Sequence, residues 1–384
     1  MDLTTDYAGL KLDNPIIIAP AGITGTVERM KEAEQAGAGA VVVKTLFEQE
    51  ITRQAPAPRF KIIRYQTAQE KTFSLYSYEQ ASILGPKDYA LEIEKAKREL
   101  NIPLIASISC ITPEGWLSYA KLMEEAGADA LELNLSCPHG PIMLSDRDMV
   151  GEMIKVTKTV KEVISIPVIP KLSNPLRVAK SLEQVGAKGL TLFNRLTGLE
   201  IDIEKEEPVM HRGYAGYGGP WSRPYTLRWI SAIYPQINVP LSGSGGVWSG
   251  EDIVKYILSG ATTVQVCTAI IMQGYKVVEK YKDDLVAYMK RKGYQKPEEF
   301  RGKITSRVVS FEKINRQHLL SAEIEPALCN SCGLCQRICI YKAVSKRAEK
   351  YRINGQCDGC GLCVELCPET AIKMVKEREP ASCC

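Results

Sequence analysis

Glu125-Ala126-Gly127-Ala128-Asp129-Ala130-Leu131-Glu132-Leu133-Asn134-Leu135-Ser136-Cys137 holds one complete junction between a helix and a strand. Glycine at 127 suits the left-handed position that ends a helix, and Ala128 lets the chain turn back tightly. Ala130–Asn134 is then apolar enough for a buried strand, and polar residues follow at its end. The same turn recurs as Gln35-Ala36-Gly37-Ala38, Gln184-Val185-Gly186-Ala187 and Leu258-Ser259-Gly260-Ala261. Three other junctions, Asn101-Ile102-Pro103, Ser165-Ile166-Pro167 and Asn238-Val239-Pro240, use proline to stop a helix and open a strand. This grammar predicts strands at Pro15–Ala19, Ala40–Lys44, Leu104–Ser107, Ala130–Asn134, Val168–Lys171, Gly189–Phe193, Pro240–Ser244 and Thr263–Cys267. A small hairpin, Leu3 to Leu12, precedes the first. Such a series, alternating with helices, points to an α/β fold of the (β/α)8 TIM-barrel kind. An open doubly wound sheet is the alternative, and it needs a reversal of strand order.

A barrel of about 250 residues leaves room for a small module in a chain of 384. The expected division is a barrel over 1–310, a linker over 311–321 and a small domain with a C-terminal tail over 322–384. A net charge of +4 looks too small and too scattered for nucleic acid. No apolar run of membrane-spanning length occurs, and the opening MDLTTDYAGL lacks a signal-peptide pattern. A cytoplasmic protein without membrane contact is expected.

The module is defined by cysteine. Of the 13 cysteines, Cys329, Cys332, Cys335 and Cys339 form C-x2-C-x2-C-x3-C, and Cys357, Cys360, Cys363 and Cys367 repeat it, ending in Pro368. This is the spacing of a bacterial-type 2[4Fe-4S] ferredoxin, an α+β fold in which the fourth thiolate of each run ligates the other cluster. One cluster would take Cys329, Cys332, Cys335 and Cys367, and the other Cys357, Cys360, Cys363 and Cys339. Zinc is the alternative, but zinc sites typically pair two CxxC units without a third cysteine two residues on. Ile340 stands where the first run would often carry proline, which is not a ligand. Cys110, Cys137, Cys267, Cys383 and Cys384 are left over, the last two on the tail.

In barrels the chemistry sits at the C-terminal ends of strands. Those ends are polar here: Lys44-Thr45, Asn134 to Cys137, Lys171 to Asn174, Asn194-Arg195, Ser242 to Gly246 and Cys267-Thr268. The glycine run after the seventh strand, followed by a helix, makes an anion pocket. The dinucleotide fingerprint fails, because Trp248 occupies its third glycine position. A mononucleotide phosphate fits better, and beside a redox module that suggests FMN.

Glu132-Leu133-Asn134-Leu135-Ser136-Cys137-Pro138-His139-Gly140 resembles the dihydropyrimidine dehydrogenase and dihydroorotate dehydrogenase family. Asn14-Pro15 leading to Ala19-Pro20-Ala21-Gly22, Lys44-Thr45, Lys171-Leu172, Gly219 before Arg223-Pro224, and Val264 to Thr268 agree with it. The resemblance extends over nearly the whole chain, to an FMN barrel subunit with a two-cluster module. It implies that Lys44 and Lys171 approach the flavin ring, and that Thr45, Ala19 and Ala21, with Gly22, hold its edges. Gly219, Gly245, Gly246 and Thr268, with Cys267, would hold the phosphate and ribityl chain. Asn134 and Asn194, with Ser136 and His139, would bind a planar amide-like substrate. Cys137 would be the general acid, a role that fits a thiol whose ordinary pKa is about 8.5. The implied reaction acts on a CH–CH or C=C bond of a small polar substrate, of the uracil, thymine or dihydroorotate type. Electrons would pass through the clusters to or from a ferredoxin or an NAD(P)H/FAD-dependent flavoprotein subunit, in a homo- or hetero-oligomer. A flavin and iron–sulfur relay subunit, or a reductase of another unsaturated carboxylate, is the alternative.

The substrate side departs from the family. Tyr76 stands where a substrate-binding asparagine tends to lie, and Cys110-Ile111-Thr112-Pro113 lacks another. The segment Pro141 to Asp148 is shorter than the family's mobile catalytic loop. Arg195 replaces a threonine and suggests either a carboxylate substrate or an ion pair to a glutamate of Glu200–Glu207. The insert from Thr197 to Tyr217 is expected to form part of a lid, with His211 a surface residue and a ligand contact the alternative.

Overall fold

The computed structural model describes all residues except 55–56, 67–70, 79–81, 137–147, 174–177, 212, 316–319, 349 and 377–384, and not the side chains of 66 and 71. Cys137, His139, most of the short catalytic segment and the Cys383-Cys384 pair lie outside the described residues. The chain divides into two units, Met1–Val308 and Val309–Cys384.

Eight parallel strands close the first unit into a ring: β1 (Ile16–Ile18), β2 (Ala40–Val42), β3 (Leu104–Ser109), β4 (Ala130–Asn134), β5 (Val168–Leu172), β6 (Leu190–Leu192), β7 (Leu241–Ser244) and β8 (Ala261–Val266). Each strand pairs with its neighbours in sequence, and β8 pairs back onto β1 through Val264 opposite Ile16. Ring closure rules out the doubly wound alternative, because no strand order reverses. A short continuation of the second strand, Leu46–Phe47, lengthens the wall beside β3.

The helices α1 (Val27–Gln35), α2 (Pro86–Glu99), α3 (Pro113–Glu125), α4 (Met149–Val163), α5 (Ala179–Gln184), α6 (Arg223–Ile233), α7 (Gly250–Leu258) and α8 (Val277–Lys292) follow the strands in order. Thr26 and Thr112 cap α1 and α3 by accepting from the N–H groups of Arg29 and Gly115. Proline opens α2 and α3. All four glycines of the repeated turn adopt positive φ, from +80° at Gly37 to +114° at Gly260.

Strand residues alternate between two environments. Ile16, Ile18, Val41, Leu131, Leu133, Val264 and Val266 pack outward with the helices. Ile17, Ala40, Val42, Ile105, Ala130 and Ile169 fill the barrel, together with Tyr7, Ala8 and Leu12 of the hairpin Thr5–Tyr7/Leu10–Leu12. Further along the same strands the buried residues turn polar: Glu132, Asn134, Lys171, Thr191 and Gln265. That switch from apolar to polar marks the end where chemistry is placed.

A separate four-stranded antiparallel sheet, ordered Thr197–Gly198, Ala215–Gly218, Lys71–Ser77 and Phe60–Gln66, joins the loops after β2 and β6. The insert after β6 therefore contributes strands to a rim sheet. Among the described residues no helix is long and apolar enough to cross a membrane.

In the second unit Leu320–Ile324 pairs antiparallel with Ile372–Lys376, and Val344–Arg347 with Lys350–Ile353. Two short helices, Leu334–Ile338 and Leu362–Glu365, each begin after a left-handed glycine of a cysteine run.

Candidate active site

A cavity of about 650 Å³ opens at the C-terminal ends of the strands, bounded on one side by the rim sheet. Ala19, Ala21, Lys44, Thr45 and Lys171 line it from the first, second and fifth strands. Asn134, Asn194 and Arg195 line it from the fourth and sixth, and Gly219, Gly245, Gly246, Cys267 and Thr268 from the remaining side. The volume falls within the 300–1,000 Å³ of small-molecule and cofactor sites.

The floor is a buried polar network. The Lys171 ammonium donates to Glu132 Oε1 at 3.2 Å and to Gln265 Oε1 at 3.1 Å. Gln265 Nε2 donates to Glu132 Oε2 at 2.8 Å, and the Thr191 hydroxyl donates to the same oxygen at 3.0 Å. A charge this deep is retained only when paired and hydrogen-bonded, so the network fixes where the Lys171 ammonium can point. Above it, Asn194 Nδ2 donates to Asn134 Oδ1 at 2.6 Å, and Asn194 Oδ1 accepts from the Arg195 N–H at 2.9 Å. The Asn134 amide nitrogen has no partner among the described residues, leaving donors for a ligand.

One side of the cavity rests on glycine. Gly245 and Gly246 have φ of +109° and +67°, and a Cβ on Gly246 would lie 2.5 Å from the Arg223 backbone nitrogen. Only glycine lets this loop lie on the start of α6. Asp252, buried at the start of α7, accepts from the N–H groups of Trp248 at 2.9 Å and Ser249 at 3.1 Å. It also pairs with Arg223, tying the glycine loop to α6. Asp252→Ala is expected to cost roughly 2–3 kcal/mol, less than a fully buried pair because Arg223 reaches solvent. Thermal melting checks it.

Several expectations change. Gly22 does not line the cavity: it opens a 3-10 turn, and its carbonyl accepts from Arg29. Ser136 is buried away from the cavity, its hydroxyl without a partner among the described residues. Tyr76 is fully buried on the far side of the rim sheet, where its hydroxyl donates to the Gly198 carbonyl at 3.0 Å. Leu75 and Ser77 face the cavity instead, because strand residues alternate. Arg195 makes no ion pair among the described residues; its guanidinium donates to Ser77 Oγ at 3.0 Å. His211 is exposed, as expected, and also lines the cavity, with its Nε2 2.6 Å from the Pro58 carbonyl. Cys110 also lines it, and burial pushes its thiol well above the ordinary range. Glu132, Gln265 and Asp252 were not expected as site residues.

In the second unit the cysteines sort into two sets. Cys329, Cys332, Cys335 and Cys367 line one small cavity, with Cys363 reaching its wall. Cys339, Cys357, Cys360 and Cys363 line another. The N–H groups of Ala343 and Ala371 donate to the Sγ atoms of Cys339 and Cys367, each at 3.3 Å. Among the described residues no three metal-binding side chains converge on a point that would hold a single ion.

A family model described as dihydroorotate dehydrogenase matches residues 2–289, and one described as a 4Fe-4S binding domain matches residues 351–373. The second match spans the later cysteine run and not the earlier. The dihydroorotate dehydrogenase B (NAD(+)) catalytic subunit of Pyrococcus abyssi (strain GE5 / Orsay) is 31% identical over 305 residues, covering 78% of this chain and 98% of that one. The catalytic subunit of the same name from Methanothermobacter thermautotrophicus is 32% identical over 310 residues, covering 78% and 97%. That from Thermoplasma acidophilum is 32% identical over 297 residues, covering 75% and 94%. On the match to most of its length, the chain belongs to the dihydroorotate dehydrogenase family, oxidoreductases acting on a CH–CH bond, and it carries a 4Fe-4S binding domain.

Proposed function

We propose that the protein interconverts dihydroorotate and orotate with FMN and two [4Fe-4S] clusters, exchanging electrons with a separate electron-transfer protein. The carrying observation is the convergence of Asn134, Asn194 and Arg195 on one cavity. A cyclic imide needs amide donors and acceptors near one plane, and a ring carboxylate needs a forked cation. Uracil would satisfy the asparagines and leave Arg195 without an anionic partner. The names of the relatives support the same substrate.

FMN, when bound, supplies hydride transfer to or from the substrate carbon. The residues present fit it: Gly219, Gly245 and Gly246 bring bare backbone to the cavity wall, and at Gly219 and Gly246 only glycine allows this, since a Cβ would collide with the Phe73 carbonyl and the Arg223 backbone. Thr268 and Cys267 lie beside that end, and Ala19, Ala21, Lys44, Thr45 and Lys171 would border the ring. Glu132 and Gln265 would hold the Lys171 ammonium in one orientation. Cys137 would give a proton to the neighbouring carbon in reduction and take it in oxidation.

The iron–sulfur clusters, when bound, supply one-electron transfer. Cys329, Cys332, Cys335 and Cys367 would hold one, and Cys339, Cys357, Cys360 and Cys363 the other. The partner would be a ferredoxin or an NAD(P)H/FAD-dependent flavoprotein subunit.

The test is anaerobic. The dithionite-reduced protein, freed of reductant, is titrated with orotate, uracil and thymine, and the flavin spectrum is followed. Reoxidation by orotate is expected; a response to uracil alone, or to none, would overturn the substrate. Arg195→Gln should raise KM for orotate about 10- to 100-fold with a smaller effect on kcat, since an interaction made before and during the reaction is lost. Steady-state kinetics check it.

A further inference from the structure

We infer that the outward face of the hairpin Val344–Arg347/Lys350–Ile353, built on Arg347, Lys350 and Arg352, docks a small, strongly acidic single-electron carrier protein. The inference rests on the reading that iron–sulfur clusters fill the two cysteine-lined cavities.

Arg347 lies directly opposite Lys350, and Ser345 opposite Arg352. Opposed residues share a face of a strand pair, and that face alternates along each strand. The three cations therefore stand together, and all are exposed. Like charges directly opposite one another destabilise a strand pair, so local stability does not explain this arrangement.

The other face of the hairpin carries Val344, Lys346, Tyr351 and Ile353. Tyr351 lines the cavity of Cys329, Cys332, Cys335 and Cys367. Val344 and Ile353 line the cavity of Cys339, Cys357, Cys360 and Cys363. One layer of backbone thus separates the basic face from the walls of both cavities. A protein resting on that face comes as close to the cysteine sets as the hairpin allows.

Charge points to the kind of partner. Residues 341–353 hold Lys342, Lys346, Arg347, Lys350 and Arg352 against Glu349 alone, five minus one, or +4. The whole chain also sums to +4, so the remaining residues sum to zero. The hairpin itself, without Lys342, sums to four minus one, or +3, so its surface is locally basic. Ile340, four residues before the hairpin, is 77% exposed. Opposite charge steers such encounters and makes them salt-dependent.

The experiment mixes the oxidised full-length holoprotein with a reduced acidic ferredoxin in a stopped-flow cell. One electron leaves the ferredoxin, which is oxidised, and reduces this protein by one; no bond forms or breaks. The rate constant should fall as salt rises. The triple variant Arg347→Glu, Lys350→Glu, Arg352→Glu should react about tenfold more slowly at low salt and lose most of that salt dependence. Its iron content and its rate with a small neutral photoreductant should match those of the unaltered protein. A control variant, Lys155→Glu with Lys158→Glu on exposed positions of α4, should react normally. An unchanged ferredoxin rate in the triple variant, or equal slowing in the control, would overturn the docking site. So would a triple variant that loses only binding to duplex DNA. Protein without cluster iron would overturn the cluster reading itself, which the iron assay reports separately.

Discussion

Cys137→Ala is expected to lower turnover about 10²- to 10⁴-fold, the range lost when a positioned acid or base is removed. The flavin should stay bound, and the clusters should still be reduced by dithionite. β4 ends at Asn134, whose side chain lines the cavity and bonds Asn194. Cys137 follows Asn134 by three residues in the sequence, and in such barrels catalytic groups come from the segments after strand ends. Burial pushes the Cys110 thiol well above the ordinary range, which disfavours it as a base.

The pH profile separates an acid–base role from a packing role. Oxidation of the substrate C–C bond requires the thiolate, so its rate should rise with pH through the thiol pKa, about 8.5 if unperturbed, and then level. Reduction requires the thiol and should fall over the same interval. Cys137→Ser keeps the size but not the titration, and its oxidative profile should stay flat there. Single-turnover flavin reduction by dihydroorotate across that range checks this. Full turnover by the alanine variant would remove Cys137 from the mechanism.

Most of the barrel was legible because its punctuation is local. Gly37, Gly127, Gly186 and Gly260 need a left-handed backbone, and each is followed within four residues by a strand. Boundaries moved where turn and strand abut: β8 begins at Ala261, directly after Gly260, two residues before the expected Thr263. The rim sheet was not legible. Its strands pair Tyr217 with Tyr76 across a long separation in the chain, and Ala215–Gly218 contains two glycines, which carry little strand preference.

Glu132 could have been found from the sequence. It lies two residues before Asn134 in an otherwise apolar strand, and that spacing places both on one face. Asp252 was hidden by its own plausibility. At the third position of α7 an acid reads as half of a capping box, and its bond to Arg223 joins segments that no local pattern connects. Tyr76 misled because matching a family's asparagine by position in the chain says nothing about which face of a strand that residue occupies.

Pairs of cysteine substitutions should separate the crossed from the uncrossed assignment of the clusters. Both assignments expect about eight irons in the intact protein and about four after any single loss, so single variants do not discriminate. Cys329→Ala with Cys339→Ala does. If each run held its own cluster, this pair would damage one site and leave about four irons; crossed ligation removes both clusters and leaves almost none. Cys339→Ala with Cys357→Ala reverses the outcomes, leaving about four irons if crossed and almost none if uncrossed. The crossed result is expected because Cys339 lines the cavity of Cys357, Cys360 and Cys363, while Cys367 lines that of Cys329, Cys332 and Cys335. The N–H donors of Ala343 and Ala371 stand four residues after the two crossing cysteines, so each fourth sulfur has an equivalent backbone partner. Such bonds favour the thiolate and help set the reduction potential. Iron and acid-labile sulfide per chain give the count. Unchanged flavin content in every variant shows that the barrel, which forms its own unit, has not been lost with the clusters.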